Sequence, residues 1–369
     1  MRRLGEQQIR DVARGAAVLG TGGGGDPYLG TLAAVGALQD YGAPQVMEID
    51  ELSDDVYVAS LAMVGAPVPL VEKFALGPEL LDVYRALDEH LDEPIHAFVP
   101  VEIGGVNTVI ALILAARLGL PVVDADYMGR AYPEVQLVTP TLYGRSASPF
   151  ALADEHGNRV LIDAKDNVWA ERIGRTVAIE FGAIAPGMMY PMTGRHAKEA
   201  AVVGTLSYAE RIGRTLREAE EQKRDALQAL LEVTGGFTLF RGKIVDIDRR
   251  TQRGWSLGEV VLEGMDAFRG SRMNVRFQNE NLVAFLDDRL VASVPDLITI
   301  IDEQTGQAVT TERLHYGFRV IVLGIRCDAK WRSPAGVALG GPRHFGYDID
   351  YVPLEELNQA GFDPPAGLS

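Results

Sequence analysis

Apolar runs of strand length alternate with helical segments in the first third of the chain. The apolar residues are continuous in the strand-like runs and recur every three or four positions in the helical ones. In chain order the segments are the strand "VYVASLAMV", the helix "PELLDVYRALDEHL", the strand "IHAFVPV", the helix "GGVNTVIALILAARLG" and the strand "PVVDAD". Alternation of this kind predicts a parallel sheet that is covered by helices.

The pattern changes after residue 140. The segment "FALADEHGNRVLIDAK" predicts a hairpin, and "NVWAERIGRTVAIEFG" predicts a helix because its apolar residues recur every four positions. A longer helix is predicted over residues 207–233, where Ser207-x-x-Glu210 has the form of a capping box. Beyond residue 236, short apolar runs between turn residues predict strands.

These patterns place the chain in the α/β class with two domains. We expect an N-terminal α/β domain with a mostly parallel sheet and a β-rich α+β C-terminal domain, because one core rarely serves 369 residues. The predicted bounds are 1–165 for the first domain and 166–369 for the second, in which a helical segment (166–235) precedes a β-rich one (236–369).

Composition narrows the function classes. The chain has 35 Lys and Arg against 51 Asp and Glu, so its net charge of −16 at pH 7 disfavours nucleic acid and anionic membranes as partners. No apolar run reaches transmembrane length, and the N-terminus lacks the apolar core of a signal peptide. The single cysteine, Cys327, rules out an intrachain disulfide and a multi-thiolate zinc site. We therefore expect a cytoplasmic protein that acts on a small molecule.

A glycine-rich stretch, "GTGGGGDP", connects the first predicted helix to the second. It contains G-x-G-x-x-G, but a helix rather than a strand precedes it, and it lacks the Lys-Ser/Thr pair of a phosphate-binding loop. A flexible connection is one interpretation. Because consecutive glycines cost backbone entropy and present N–H groups ahead of a helix, we favour a loop that binds an anionic group. The residues expected to bind substrate there are Gly22, Gly23, Gly24 and Gly25.

Acidic residues follow two successive predicted strands. Glu102 ends one strand, Asp124 and Asp126 end the next, and Arg130 and Glu134 follow on a short turn. Since ligands bind outside the carboxyl ends of parallel strands, we expect these side chains to form a site if the two strands are neighbours. The alternative is structural: Asp126 would cap the following turn, and Arg130 would pair with Glu134 four residues later.

Clustered carboxylates have two chemical uses, and both stay open. They provide oxygen ligands for a divalent metal ion, here Glu102, Asp124 and Asp126, or they act as a general acid and a general base. The six histidines show no zinc-binding spacing. We expect His96 in the core of a strand and treat His344, in a polar aromatic loop, as a weak candidate for ligand contact.

Four positions in the predicted β-rich part are interpreted as structural rather than functional. Asn279-Glu280 and Asp296 are expected to be turn residues or domain-interface contacts. Cys327 is expected to be a structural thiol, because no activating base is visible beside it.

The order of the motifs resembles one protein family. The matching segments are "GTGGGGDP", "VEIGGVN", "VVDADYMGRAYPEVQ", "GKIVDIDRRTQRGW", "FQNEN", "PDLITIID", "HYGFRVIVLG" and "GPRHFGYDIDYVPLEEL". Over residues 20–357 the chain resembles the S-methyl thiohydantoin desulfurase family, whose members often accompany hydantoin-utilisation proteins. The most specific marks are D-A-D-x-x-G-R-A-x-P-E and G-P-R-x-F-G-Y-D.

The resemblance implies a two-domain hydrolase of a cyclic amide or amidine. The implied reaction converts an S-methylated thiohydantoin to a hydantoin and methanethiol. Two alternatives remain: a hydrolase of another cyclic amide, and a non-catalytic accessory subunit of a hydantoinase-type ATP-dependent enzyme, which would then be a partner. The apolar content is compatible with a homodimer.

Roles within the site follow from position and chemistry alone. Asp124 or Asp126 is expected to be the base or a metal ligand, with Glu102 as its partner. Arg130 would hold a substrate carboxylate or the charge that develops on the ring. Glu134 is expected to contact the substrate as well.

Overall fold

The computed structural model describes residues 1–65, 77–252 and 254–359, so residues 360–369 of the predicted C-terminal domain lie outside it. Its helices are α1 (Glu6–Leu19), α2 (Pro27–Tyr41), α3 (Glu79–Asp88), α4 (Asn107–Leu118), α5 (Thr139–Leu142), α6 (Asn167–Glu180), α7 (Gly194–Ala200), α8 (Thr205–Glu221), α9 (Ala226–Thr234), α10 (Pro334–Gly340) and α11 (Leu354–Gln359).

Its strands are β1 (Arg2–Arg3), β2 (Gln45–Met47), β3 (Tyr57–Gly65), β4 (Ile95–Phe98), β5 (Val122–Val123), β6 (Ala125–Asp126), β7 (Phe150–Ala153), β8 (Arg159–Ile162), β9 (Ile184–Thr193), β10 (Val202–Val203), β11 (Phe237–Gln252), β12 (Trp255–Gly264), β13 (Arg272–Gln278), β14 (Glu280–Leu286), β15 (Arg289–Ser293), β16 (Leu297–Asp302) and β17 (Arg319–Ile325).

The first sheet confirms the α/β class and corrects the prediction of a mostly parallel sheet. Its strand order is β1-β2-β5-β4-β3-β9-β7-β8. The neighbours β2, β5, β4 and β3 are parallel, and the outer pairs are antiparallel. The continuous apolar runs predicted β3, β4 and β5 but not the short β2. The predicted hairpin is β7–β8, whose turn is held by Asp154, which accepts the backbone N–H groups of His156 and Asn158.

Two strands, β9 and the short β10, lie inside the segment predicted to be helical, and β10 pairs with β6. β9 pairs with β3 and β7, so it belongs to the first sheet. Two prolines, Pro186 and Pro191, conceal it from pattern analysis because proline cannot donate a hydrogen bond to a neighbouring strand. The sheet accommodates Pro191 at a register shift, where Tyr190 has a φ of 54°.

The single helix predicted over residues 207–233 is in fact two helices, α8 and α9. The chain turns between them at Lys223, whose φ is 53°, and Asp225 caps α9 by accepting the N–H of Gln228 at 3.1 Å. The predicted capping box is also wrong. α8 begins earlier, after Gly204, and the side chain of Ser207 donates to Asp124 instead.

The second sheet confirms the β-rich character of the C-terminal part. Its order is β15-β14-β13-β12-β11-β17-β16, and its pairs are antiparallel. Its apolar side chains, among them Phe240, Val260 and Val322, form a core of their own. A further apolar cluster joins α1, α8 and α9 to β16 and β17, so α1 from the first half of the chain packs with α8 and α9 on the second sheet.

Glycines allow α1 and α8 to cross with their backbones in contact. A Cβ on Gly15 of α1 would lie 1.8 Å from the carbonyl oxygen of Ala209, and a Cβ on Gly213 of α8 would lie 1.9 Å from that of Asp11. Only glycine fits at either position. Within the described part of the chain, no helix is both long and apolar enough to cross a membrane.

Gly15→Ala is expected to lower the melting temperature, because the added methyl group must push the two helix backbones apart. Overpacking a core costs about 1–3 kcal/mol, which corresponds to several degrees. Gly36→Ala is the matched control, since a Cβ at this position of α2 meets no atom within 4 Å and alanine favours the helix. Thermal unfolding monitored by circular dichroism compares the two; equal midpoints would contradict the close crossing.

Candidate active site

A cavity lies where the first sheet meets the second. It is formed by the carboxyl end of β3, the segment after β4, and the turn between β13 and β14. This is the edge at which open parallel sheets bind ligands. The apolar wall comprises Met63, Val64, Val101, Met128, Val135, Ile184 and Met189, and the polar wall comprises Gly24, Gly25, Glu102, Asn107, Glu134, Arg175, Asn279 and Glu280.

Glu102 lies on the polar wall and is 4% exposed. Its Oε1 accepts a hydrogen bond from Nδ2 of Asn107 at 2.5 Å, and its Oε2 accepts the N–H of Tyr132 at 3.3 Å. Asn107 is fixed in turn, because its Oδ1 accepts the N–H of Met63 at 2.8 Å. As the sequence required, β4 and β5 are neighbours. Glu102 is therefore the predicted acid that the structure places in the cavity with one defined orientation.

A second glutamate, Glu280, faces the cavity from the other sheet. It is the first residue of β14 and follows Asn279, whose φ is 55°. The residue is 3% exposed, and within the described part of the chain its Oε2 has no hydrogen-bond partner. Sequence analysis treated this pair as turn or interface residues. The overlooked signal is a glutamate directly before the apolar run "NLVAFL", where a side chain is buried rather than solvated.

The glycine-rich loop brings the two glutamates together. A Cβ on Gly23 would lie 1.9 Å from Oε1 of Glu280, and a Cβ on Gly24 would lie 3.3 Å from Oε1 of Glu102. Consecutive Cα atoms are about 3.8 Å apart, so the two carboxyl groups lie against neighbouring residues of one loop. The absence of side chains at both positions is what makes room for them.

The four glycines predicted to bind substrate divide into two pairs. Gly24 and Gly25 line the cavity. Gly22 and Gly23 contact the second sheet instead, and the carbonyl of Gly22 accepts the N–H of Thr311 at 2.8 Å. The loop connects α1 to α2, as expected, and is both a wall of the cavity and a spacer between the sheets.

Burial raises the pKa of both glutamates. For Glu280, desolvation and the neighbouring charge of Glu102 raise the pKa well above its ordinary value, and Arg130 opposes the shift. For Glu102, desolvation raises the pKa, while hydrogen bonds from Asn107 and Tyr132 oppose it. Two carboxyl groups in one dry site disfavour double ionisation, so the pair favours one carboxylate and one carboxylic acid. Glu280, with its unpaired oxygen, suits the protonated form.

The cavity also contains an ionised acid, Glu134. Burial alone would raise its pKa, but hydrogen bonds from His344 and Gln136 hold the pKa below the ordinary glutamate value. The Nε2 atom of His344 lies 3.2 Å from Oε2 of Glu134, so this weak sequence candidate lies beside the cavity. His96, expected in the core, is exposed, because the alternation of side chains along β4 turns it outward.

Arg175 of α6 is a cavity residue that sequence analysis missed. Its guanidinium donates to the carbonyls of Pro133 at 2.7 Å and Gly254 at 3.0 Å, pairs with Glu171, and stacks on Trp255 with 4.6 Å to the ring centroid. A guanidinium has five N–H donors, so the described contacts leave two for a ligand. An arginine in an amphipathic helix gives no sequence signal of this role.

Arg130 does not line the cavity, although the sequence groups it with the site. It is completely buried. All five of its N–H donors contact protein oxygen atoms: the carbonyls of Ala131 (2.9 Å), Pro295 (2.9 Å), Asp296 (3.0 Å) and Asn281 (3.3 Å), and the hydroxyl of Thr21 (3.1 Å). Arg130 therefore joins the glycine-rich loop to β14 and to the segment before β16.

Asp124 and Asp126 also lie outside the cavity wall. Asp124 binds the first turn of α8, where Ser207 donates its backbone N–H at 3.0 Å and also its hydroxyl. Asp126 accepts the N–H groups of Met128 at 3.0 Å and Gly129 at 2.7 Å, which is the turn cap that sequence analysis kept as an alternative. Burial raises the pKa of Asp126 to about 8. The contacts of both aspartates are structural.

The three acids considered as metal ligands do not converge. Asp124 and Asp126 contact backbone N–H groups, whereas Glu102 faces the cavity. Among the residues that the structure describes, no group of three or more His, Cys, Asp or Glu side chains could hold a metal ion. Burial raises the pKa of Cys327 to about 12, so its thiol is protonated at neutral pH.

Two family models match consecutive parts of the chain. The S-Me-THD-like N-terminal domain matches residues 7–164, and the S-Me-THD-like C-terminal domain matches residues 165–354. The chain belongs to the S-methyl thiohydantoin desulfurase family. This family member shares its fold with a protein from Chromobacterium violaceum solved by X-ray crystallography, at 25% identity, a TM-score of 0.81, and coverage of 96% of this chain and 100% of that one. No curated protein matches the sequence.

Asp124→Asn is expected to lower the melting temperature of this desulfurase-family chain, because it removes the negative charge and one acceptor from the first turn of α8. Loss of such a cap costs about 0.5–2 kcal/mol. Asp40→Asn, at an exposed position of α2, is the control and should leave the midpoint unchanged. An unchanged melting temperature together with lost turnover would instead indicate that Asp124 is a catalytic residue.

Proposed function

We propose that this protein hydrolyses an S-methylated thiohydantoin, releasing methanethiol and leaving a hydantoin. The observation that carries the proposal is the pair Glu102 and Glu280, which enter one cavity from two sheets with raised pKa values. Membership of the S-methyl thiohydantoin desulfurase family supports the substrate class. The reaction requires a base and an acid at a single ring carbon, and such a pair supplies both.

In the first step, water attacks the ring carbon that bears sulfur. The ionised Glu102 accepts a proton from this water, and the protonated Glu280 donates its proton to the ring nitrogen of the C=N bond. The C–O bond forms as the C=N bond becomes a C–N single bond. Asn107 keeps the carboxylate of Glu102 in place, because it donates to Oε1 and is itself held by Met63.

In the second step, the tetrahedral intermediate collapses. Glu280, now a carboxylate, accepts the proton of the new hydroxyl group while the C–S bond breaks. Glu102, now a carboxylic acid, protonates the departing sulfur, so that methanethiol leaves as the neutral thiol. Both glutamates return to their starting protonation states, and the net change is addition of one water.

The rest of the cavity suits such a ring. Met63, Met128 and Met189 provide a polarisable apolar wall that matches a methylthio group. The free donors of Arg175 suit the ring carbonyl or a carboxylate on a ring substituent, the role that sequence analysis gave to Arg130. Gly24 and Gly25 allow the ring to approach the backbone closely.

The test is methanethiol release from an S-methylated thiohydantoin by purified protein, with and without a chelator. Glu102→Gln and Glu280→Gln should each lower kcat by about 10²–10⁴-fold, the usual contribution of a general acid or base. Glu263→Gln, at an exposed position of β12, is the matched control and should keep full activity.

Three outcomes would overturn parts of this proposal. Turnover that a chelator abolishes would replace acid–base carboxylates with metal-assisted hydrolysis. Turnover unaffected in both glutamate variants would remove the pair from the mechanism. No release by folded protein, together with release from another cyclic amide or co-purification with a hydantoinase-type ATP-dependent enzyme, would favour one of the alternative functions.

The dependence of kcat/KM on pH is expected to be bell-shaped. Glu102 must be ionised, and because burial raises its pKa, activity should fall on acidification already above about pH 4.3, the ordinary glutamate value. Glu280 must be protonated, and its raised pKa keeps activity until the pH exceeds that value. Initial rates across pH 4–10 measure both limbs. A profile that is flat from about pH 5 to 9 would contradict the assignment.

A further inference from the structure

Arg130 is a buried cation that contacts no acidic side chain in the described part of the chain. Its five N–H groups donate to four carbonyls and one hydroxyl, all neutral, at 2.9–3.3 Å. Among the described residues, no carboxylate lies within 4 Å of its guanidinium. Isolating a charge from water costs several kcal/mol unless an opposite charge compensates it. The protein must therefore supply negative charge nearby.

The adjacent aspartate does not provide that charge. Arg130 contacts only the backbone carbonyl of Asp296, whose carboxylate instead accepts hydrogen bonds from Arg332 at 2.7 Å and from the hydroxyl of Tyr351 at 2.9 Å. Arg332 also pairs with Glu355, which lies 3.6 Å from Arg326. Two arginines thus face two acids in this network, which leaves no excess negative charge for Arg130.

Among the described residues, the buried acids that have no cation in contact include Glu102, Glu280 and Asp126. Asp126 caps a turn through the N–H groups of Met128 and Gly129, whereas the two glutamates lie against the loop that Arg130 binds.

The glycine-rich loop shows how close these groups are. Arg130 donates to Thr21, Glu280 lies against Gly23, and Glu102 lies against Gly24. Three buried ionisable side chains thus lie against residues 21–24 of this loop. Two further contacts bring the cation near each acid: the guanidinium stacks on Tyr132, whose N–H binds Glu102, and it donates to the carbonyl of Asn281, the residue after Glu280.

We propose that Arg130 is the shared counter-ion of Glu102 and Glu280, so that the pair holds one negative charge and one proton. In this arrangement one cation balances whichever glutamate is ionised, and the proton can move between them without creating net charge. Arg130 is a positioning residue, because it touches neither the cavity nor the reacting atoms. The inference deepens the proposed function but also makes a claim about charge that holds without turnover.

A double-mutant cycle on stability tests the charge claim directly. Glu280→Gln should change the melting temperature little, because the carboxylate of Glu102 still balances the charge of Arg130. Glu102→Gln should also change it little, because Glu280 then ionises and balances that charge. The double variant leaves Arg130 without either acid. Its melting temperature should therefore fall below the sum of the two single effects by about 3 °C or more.

Additive effects, or a double variant more stable than the wild type, would overturn the proposal. Both results would mean that Arg130 needs no charge from the glutamates. The measurement requires no substrate, so a failure of the proposed reaction leaves it intact. Conversely, a protein that turns over the thiohydantoin but shows additive effects would retain the function and lose this inference.

The pH profile gives an independent readout that a merely structural arginine would not move. Arg130→Met removes the cation, so both carboxylates ionise less readily and both limbs of the profile should move to higher pH by about one unit. Arg130→Lys loses hydrogen bonds but keeps the charge, so its limbs should stay in place. Other titratable groups near the pair are Arg175, whose charge lowers the pKa of Glu280, Asp126, whose pKa the charge of Glu102 raises, and Glu134 in the same cavity.

The two arginine variants can fail to fold, because Arg130 holds five contacts. In that case the stability cycle on Glu102 and Glu280 decides alone. If both variants fold and their profiles coincide with that of the wild type, the shared counter-ion is excluded.

Discussion

The architecture of the site depends on the hydrogen bonds of one side chain. Arg130 emerges from the turn after β6 and ties Thr21 of the glycine-rich loop to Asn281 of β14 and to the segment that enters β16. These contacts join the sheet of the first half of the chain to that of the second. Together with the hydrogen bond from Thr311 to Gly22 and the apolar cluster around α1, they keep Glu102 and Glu280 beside one cavity.

The same close packing explains why the loop is rich in glycine. Three parts of the chain contact the loop: Glu102 after β4, Glu280 at the start of β14, and the segment that begins α4. A Cβ on Gly23 would occupy the position of Glu280, and a Cβ on Gly24 would lie 2.5 Å from the Cα of Gly104. The G-x-G-x-x-G pattern therefore reflects close packing between two sheets, and its likeness to a dinucleotide fingerprint is incidental.

Much of the fold follows from sequence, because local patterns determine the parallel strands, the hairpin and the β-rich second half. The site follows only in part. Glu102 was predicted from its place after a strand, but Asp124 follows a strand in the same way and is held by Ser207, more than eighty residues later. Glu280 and Arg175 contribute through a turn and a helix that no local pattern connects to β4. Long-range contacts decide which acid faces the cavity.

The acids themselves suggest a physical rule for that decision. Asp124 accepts hydrogen bonds at both carboxylate oxygens, and Asp154 does the same in a turn, so each carboxylate is held in one orientation by the backbone or side chains beside it. Among the residues that the structure describes, Oε2 of Glu280 and Oδ1 of Asp126 are buried without a hydrogen-bond partner, and of these two acids Glu280 is the one that faces the cavity. A protein gains no stability from such an oxygen, since an unsatisfied buried polar atom costs about 1–3 kcal/mol. A ligand that forms a hydrogen bond with this oxygen of Glu280 would remove that cost.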